Sequence, residues 1–174
     1  MKFEIHVTVL TNNINQFKKD CEILKIKPIL IDTLKNETQL MTSSKYDCED
    51  YNKTLTTLKN QLTSMGYDVL RSKVEKFPDE IPNKDFLYYE SHLRLKLKKD
   101  FNFENLKRIC ELRKFHISKN LFKSSEEYNY QKFNNYINEM VKILDLNNIE
   151  YDKIEIEECI FDSKVEMDNK WLNL

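Results

Sequence analysis

A single glycine, Gly66, stands in a chain of 174 residues. Loops that cradle nucleotide triphosphates need several residues without a Cβ, so the sequence argues against that class of site. No apolar run approaches the roughly 20 residues that cross a bilayer as a helix. The opening Met1-Lys2-Phe3-Glu4 enters a strand pattern without the apolar segment of a secretory leader. The expectation is a soluble cytoplasmic protein without a membrane partner. Cys21, Cys48, Cys110 and Cys159 are too scattered for a zinc ribbon and too sparse for a disulfide scaffold, and read as reduced thiols. A formal net charge of −1 and a pI near 6.3 give no global field toward nucleic acid, so any basic contact surface must be local. What is present, 40% hydrophobic and 33% charged residues, is the composition of one folded, heavily solvated domain over residues 1–174.

From Phe3 to Leu10 the residues alternate, with Phe3, Ile5, Val7 and Val9 on one side and Glu4, His6 and Thr8 on the other. Asn12 to Lys25 has a helical apolar face of Ile14, Phe17, Cys21 and Leu24, with Asn12 or Asn13 as cap. Pro28 opens a short strand, Ile29-Leu30-Ile31, and Lys35 to Asp47 reads as a polar loop. A second helix runs from Glu49 to Met65, stopped by Gly66 where a C-cap needs positive φ. Val69 to Phe77 alternates again, with Arg71, Lys73 and Glu75 on one face, and Pro78 and Pro82 mark a connector. The order then recurs: strand Tyr88 to Lys98, helix Phe103 to Lys114, weak strand Phe115 to Leu121, helix Phe133 to Leu146, strand Tyr151 to Phe161. The tail Val165 to Leu174 carries the only tryptophan, Trp171, and is expected to fold back as a packing segment.

The recurrence reaches single residues. Phe3-Glu4-Ile5-His6 matches Tyr89-Glu90-Ser91-His92, Cys21-Glu22-Ile23 matches Cys110-Glu111-Leu112, and Ser43-Ser44 aligns with Ser124-Ser125 before each second helix. The expectation is an α+β fold of two pseudo-twofold β-α-β-α-β repeats, residues 1–77 and 88–161, in a ferredoxin-like, bilobal arrangement with helices outside and a polar cleft between the sheets. The paired cysteines continue buried helical faces and read as core, and His116, which has no repeat partner, reads as structural.

Alternation puts Glu4, His6 and Thr8, and their counterparts Glu90, His92 and Arg94, on strand faces turned away from the helices. Imidazole titrates near neutrality, at about 6.5, so one histidine from each repeat offers a base and an acid for opening a phosphodiester. His6-Val7-Thr8 is an H-x-T tripeptide on a strand, and His92-Leu93-Arg94 repeats its histidine with arginine in the third place. In this the chain resembles the two-histidine (2H) phosphoesterases. The resemblance implies a bilobal α+β body, no cofactor, and a nucleotide or RNA phosphodiester or cyclic phosphate as substrate. It also implies His6 and His92 as the catalytic pair, with Thr8 holding a phosphate oxygen.

Arg94 could bind phosphate through its charged fork, and Arg71, Lys73, Ser43 and Ser44 could border the same cleft. Each has a plainer reading: alternating charges are commonly a solvated strand face, and serines before a helix are commonly caps. Lys96, Lys98 and Lys99 read as surface residues at a strand end. A rival assigns Glu4, His6, Glu90 and His92 to a divalent metal, since Glu-x-His places two ligands on one strand face. A third takes the cleft as a non-catalytic module for an anionic ligand. Glu155-Ile156-Glu157 resembles the acidic motif of triphosphate tunnel enzymes but lacks its following lysine.

Overall fold

The architecture rests on a computed structural model that describes residues 1–33, 37–77, 86–97, 102–113, 116–122, 127–133 and 137–167. The expected connector at Pro78 and Pro82, Ser124, Ser125, Lys98, Lys99 and Trp171 lie outside the described residues. The fold is α+β with antiparallel strand pairing. Its elements are β1 (Lys2–Leu10), α1 (Ile14–Leu24), β2 (Lys27–Asp32), β3 (Thr38–Asp47), α2 (Tyr51–Ser64) and β4 (Asp68–Lys76). They continue with β5 (Tyr88–Lys96), α3 (Phe103–Arg113), β6 (His116–Asn120), β7 (Glu127–Phe133), α4 (Ile137–Leu146) and β8 (Glu150–Asp162). Each half therefore runs β-α-β-β-α-β, one strand more than the sequence pattern suggested.

The additional strand in the first half is β3, which occupies the stretch read as a loop. Its residues Thr38 to Asp47 carry Ser, Thr, Lys and Gln on both faces, so no apolar stripe announces it. Pairing supplies what the pattern lacks: β3 runs antiparallel to β1 from Lys2↔Asp47 to Val9↔Leu40, satisfying backbone donors and acceptors residue by residue. Ser43 and Ser44 consequently lie within a strand and cap nothing. The cap of α2 is Asp50, whose carboxylate accepts from Asn52 N at 2.9 Å. Asn13 caps α1 as expected, accepting from Gln16 N at 3.0 Å.

The chain forms two compact units that do not coincide with its two halves. Unit 1 comprises Met1–Leu30, Gln39–Leu87 and Glu158–Lys164, and unit 2 comprises Ile31–Thr38, Tyr88–Glu157 and Val165–Leu174. In unit 1, β1 lies between β3 and β4, and the end of β8 pairs with β4 through Lys73↔Asp162 and Lys76↔Glu158. The apolar side of β1 (Phe3, Ile5, Val7, Val9) is fully buried together with Phe17 and Cys21 of α1 and Leu55, Leu58 and Leu62 of α2. Phe17 meets Tyr67 edge-on at 5.3 Å between ring centroids, and the Tyr67 hydroxyl donates to Asp20. In unit 2, β7 lies between β5 and β6. Its core joins Leu93 and Leu95 of β5 to Leu106 and Cys110 of α3, Ile117 of β6, and Met140 and Leu144 of α4.

Three helix ends use the same device. Lys25 (φ 55°), Gly66 (φ 89°) and Asn148 (φ 53°) take left-handed conformations. The next residue then reaches back: Ile26 N to Cys21 O, Tyr67 N to Leu62 O and Ile149 N to Leu144 O, at 2.9, 3.1 and 2.9 Å. These are Schellman closures, and each buries the hydrophobic residue that follows it. Glycine occupies one of three equivalent positions, so the lone Gly66 marked one helix end and left the other two unannounced.

Candidate functional site

In unit 1 the polar face of β1 becomes the centre of a three-strand array because register fixes its neighbours. His6 pairs with Ser43 of β3 and Lys73 of β4, Glu4 with Lys45 and Glu75, and Thr8 with Met41 and Arg71. The three strands therefore bring Arg71, Lys73, Ser43 and Thr8 onto the face of His6. Ser44 points the other way by alternation, and its hydroxyl accepts from Lys27 N at 3.1 Å.

This face is not the solvated surface that alternating charges suggest. Arg71 is 6% exposed, Lys73 9% and Glu75 1%. Buried charge is costly unless paired, and pairs are present. Arg71 makes a two-pronged bridge to Asp162 of β8, Nε to Oδ1 at 2.9 Å and Nη2 to Oδ2 at 2.5 Å. Lys73 Nζ stands 2.5 Å from Glu75 Oε1, and His6 Nε2 stands 2.8 Å from Glu75 Oε2. Glu4 lies farther from the ring, at 4.0 Å, because it accepts from the Ser43 hydroxyl at 2.5 Å and faces Lys45 at 3.5 Å. A chain of alternating charge thus runs Lys45, Glu4, His6, Glu75, Lys73.

Burial works against a charged His6, but the charge and hydrogen bond of Glu75 outweigh it; Lys73 opposes and Glu4 assists, and the pKa is raised. Burial likewise works against ionised Glu4. There His6, the Ser43 hydroxyl and Lys45 together prevail, and its carboxyl is held below the ordinary value.

Unit 2 contains a second clamp. His92 Nε2 stands 3.2 Å from Glu90 Oε2 on its own strand and 3.1 Å from Glu157 Oε2 on β8. Both carboxylates approach within hydrogen-bonding range, so they overcome a substantial desolvation and raise His92 well above the ordinary imidazole value. The rings keep 18% (His6) and 24% (His92) of their side-chain surface accessible. Arg94 follows on the face of His92 and is half-buried.

The carboxylates beside each imidazole thus favour its charged form, with Nε2 of His6 2.8 Å and Nε2 of His92 3.1 Å from a carboxylate oxygen. Such a group is ready to donate a proton, and it becomes a base only after losing one. A divalent ion held by Glu4 and His6, or by Glu90 and His92, would have to displace that proton. The residues that sequence reasoning passed over are Glu75, Glu157 and Asp162. Glu75 was visible two places from Lys73, and Glu157 inside Glu155-Ile156-Glu157, but neither signal named a histidine as its partner. The cysteines of the paired Cys-Glu motif are buried, as expected, and burial beside Asp20 and Glu22 pushes the Cys21 thiol up to about 12, which leaves it inert.

No family model matches the chain, and no curated protein matches it. Among solved structures, the crystal structure of an unknown protein from Galdieria sulphuraria aligns over 90% of this chain and 97% of its own. The identity is 10% and the TM-score 0.30, a likeness too slight to carry fold or function.

Proposed function

We propose that the protein is a phosphoesterase that opens a nucleotide or RNA phosphodiester, cyclic phosphates included, by proton transfer at His6 and His92. The observation that supports this most is the pair of clamps: each first strand presents an imidazole whose Nε2 is held by a buried carboxylate, at 2.8 Å for His6 and 3.1 Å for His92. Groups whose proton affinity is set by specific charged partners are the equipment of acid-base chemistry. In the proposed reaction, water attacks phosphorus and gives its proton to one neutral imidazole. The P–O bond to the leaving oxygen breaks as the other imidazolium protonates it. Thr8 and Arg94 would contact the phosphate oxygens. Arg71 contributes indirectly in this scheme, since Asp162 already occupies its fork.

The reading includes an internal duplication, with β1 to β4 and β5 to β8 as pseudo-twofold copies, and a cytoplasmic setting where nucleotides and RNA ends are at hand. The same order of elements and the shared aromatic-Glu-x-His pattern support the duplication.

The test is turnover of 2′,3′-cyclic nucleotides and RNA ends carrying a 2′,3′-cyclic phosphate, with and without chelator, for the native chain and for His6→Asn and His92→Asn. Chelator-resistant hydrolysis that both variants lose, on the scale of about 10²–10⁴-fold, is the expected result. Hydrolysis abolished by chelator points instead to a metal held by the Glu-x-His pairs. Saturable binding without product points to an anion-binding module.

A further inference from the structure

We infer that unit 2 carries a binding site for a divalent transition-metal ion, with His92 Nε2, Glu90 and Glu157 as its ligands, and that the ion inhibits by taking the nitrogen that serves as acid. The site stands on the geometry of unit 2. Only the inhibition rests on the phosphodiesterase reading.

The two histidines differ in direction as well as in partners. His6 Nε2 makes a directed hydrogen bond to Glu75 Oε2 at 2.8 Å, and Lys73 Nζ stands 2.5 Å from the other oxygen of that carboxylate. A metal ion there would have to displace a hydrogen bond and compete with a lysine. His92 Nε2 has Glu157 Oε2 at 3.1 Å and Glu90 Oε2 at 3.2 Å, yet neither oxygen lies in line with a ring N–H, and the buried nitrogen completes no hydrogen bond. Donors stand this way around an ion that they share. With bonds of about 2.1 Å, neighbouring donors lie about 3.0 Å apart in an octahedron and about 3.4 Å apart in a tetrahedron. The two separations around His92 fall between these values.

The donors sit on regular strands. Glu90 and His92 are alternate residues of β5 and share one face, and Glu157 comes from β8. The Glu90 side chain is fully buried and that of Glu157 9% exposed, so the sheet fixes both carboxylates, while the 24% of the His92 side chain that stays accessible leaves an ion a way in. The donor types select the ion. One imidazole nitrogen with two carboxylate oxygens suits zinc, manganese or ferrous iron, whereas calcium takes six to eight oxygens. The two carboxylates balance the charge of a divalent ion, and the neutral ring adds a third bond. An ion binds this nitrogen only in place of its proton, so a filled site leaves His92 unable to protonate a leaving oxygen.

The test takes the full chain, freed of metal by chelation, through calorimetric titration with zinc and with manganese, and records ring-nitrogen NMR spectra with and without zinc. One ion per chain is expected, with the His92 ring signals moved and those of His6 and His116 unchanged. His116 is the internal control: it and His92 both pair with Gln131 of β7, which sets them about 10 Å apart. Glu157→Gln keeps the size of the side chain and should weaken zinc binding by more than about tenfold. Where that variant does not fold, the native spectra decide. Absence of saturable uptake, or uptake that leaves the His92 signals in place, overturns the site. Rates on a 2′,3′-cyclic nucleotide should fall as the site fills. A rate indifferent to a filled site overturns the inhibition, and hydrolysis that appears only with the ion overturns the inhibition and the metal-free mechanism together. A filled His92 site in a protein that hydrolyses no phosphodiester supports the metal site and overturns the phosphodiesterase reading.

Discussion

The two histidine clamps start from nearly the same sequence, aromatic-Glu-x-His, yet surround the ring differently. In unit 1 the strand-mate Glu4 is drawn off by Ser43 and Lys45, and the cross-strand Glu75 is shared with Lys73. In unit 2 the strand-mate Glu90 and the cross-strand Glu157 both approach the ring nitrogen, at 3.2 and 3.1 Å. A motif fixes which groups lie on one face, but neighbouring strands decide how much charge each keeps for its partner.

The sharpest way to break this comparison is to remove each ring. His6→Ala and His92→Ala should each lose about 10²–10⁴-fold in phosphodiester turnover. Equal and full retention of rate by both would end the catalytic reading. In stability the two should part company. His92→Ala takes the ring away from both Glu90 and Glu157 and is expected to cost about 3 kcal/mol. His6→Ala leaves Glu75 still paired with Lys73 and should cost about 1–2 kcal/mol. Urea unfolding at pH 7 measures both, and a larger loss for His6 would show that the sharing of Glu75 has little energetic weight.

Next in size is the Arg71–Asp162 bridge of unit 1. Asp162→Asn removes the carboxylate charge that bridges the buried Arg71 guanidinium, and a loss of about 3 kcal/mol is expected in the same unfolding experiment. A neutral result would mean that another acceptor replaces Asp162.

The pH dependence of stability sharpens the comparison further. A histidine raised on folding contributes fully below the ordinary imidazole value of about 6.5, and the contribution is lost as pH rises through the folded value. Both clamps therefore weaken as pH rises from the ordinary imidazole value through the raised folded one. Glu4 is lowered from 4.5, so its contribution is complete above that value and disappears as pH falls through the folded one. Melting temperatures across pH should decline on both flanks, and Glu157→Gln should flatten the alkaline decline.

The smallest expected effects concern the helix ends. Nothing lies within 4 Å of where a Cβ would stand on Gly66, so Gly66→Ala meets only the backbone cost of φ 89°, about 1 kcal/mol. Lys25→Gly should stabilise by a similar amount, since its φ of 55° is unfavourable for a side chain. Thermal melts of the two variants should shift in opposite directions.

Legibility in the sequence followed the strength of periodic signals. β1, α1, α2 and β5 were readable because Phe3, Ile5, Val7 and Val9, or Leu55, Leu58 and Leu62, recur at strand or helix spacing. β3 was not readable, since its polar residues show no preferred face and its place depends on pairing with β1. Glu4 beside His6 and Glu90 beside His92 followed from alternation along one strand. Glu75, Glu157 and Asp162 could not follow, because contact across strands depends on register, and register is a property of the assembled sheet. The burial of Arg71, Lys73 and Glu75 was missed for the same reason.

The sequence by itself determined the α+β character, the apolar faces that make each core, and which polar residues share a strand face with each histidine. These are local properties, written in periods of two and 3.6 residues. Only the tertiary structure decided which carboxylate meets which imidazole and that Arg71 is spent on Asp162. It also decided which charged groups surround each copy of the motif, and the energy of a buried charge depends on every charged group that folding brings within a few ångströms of it.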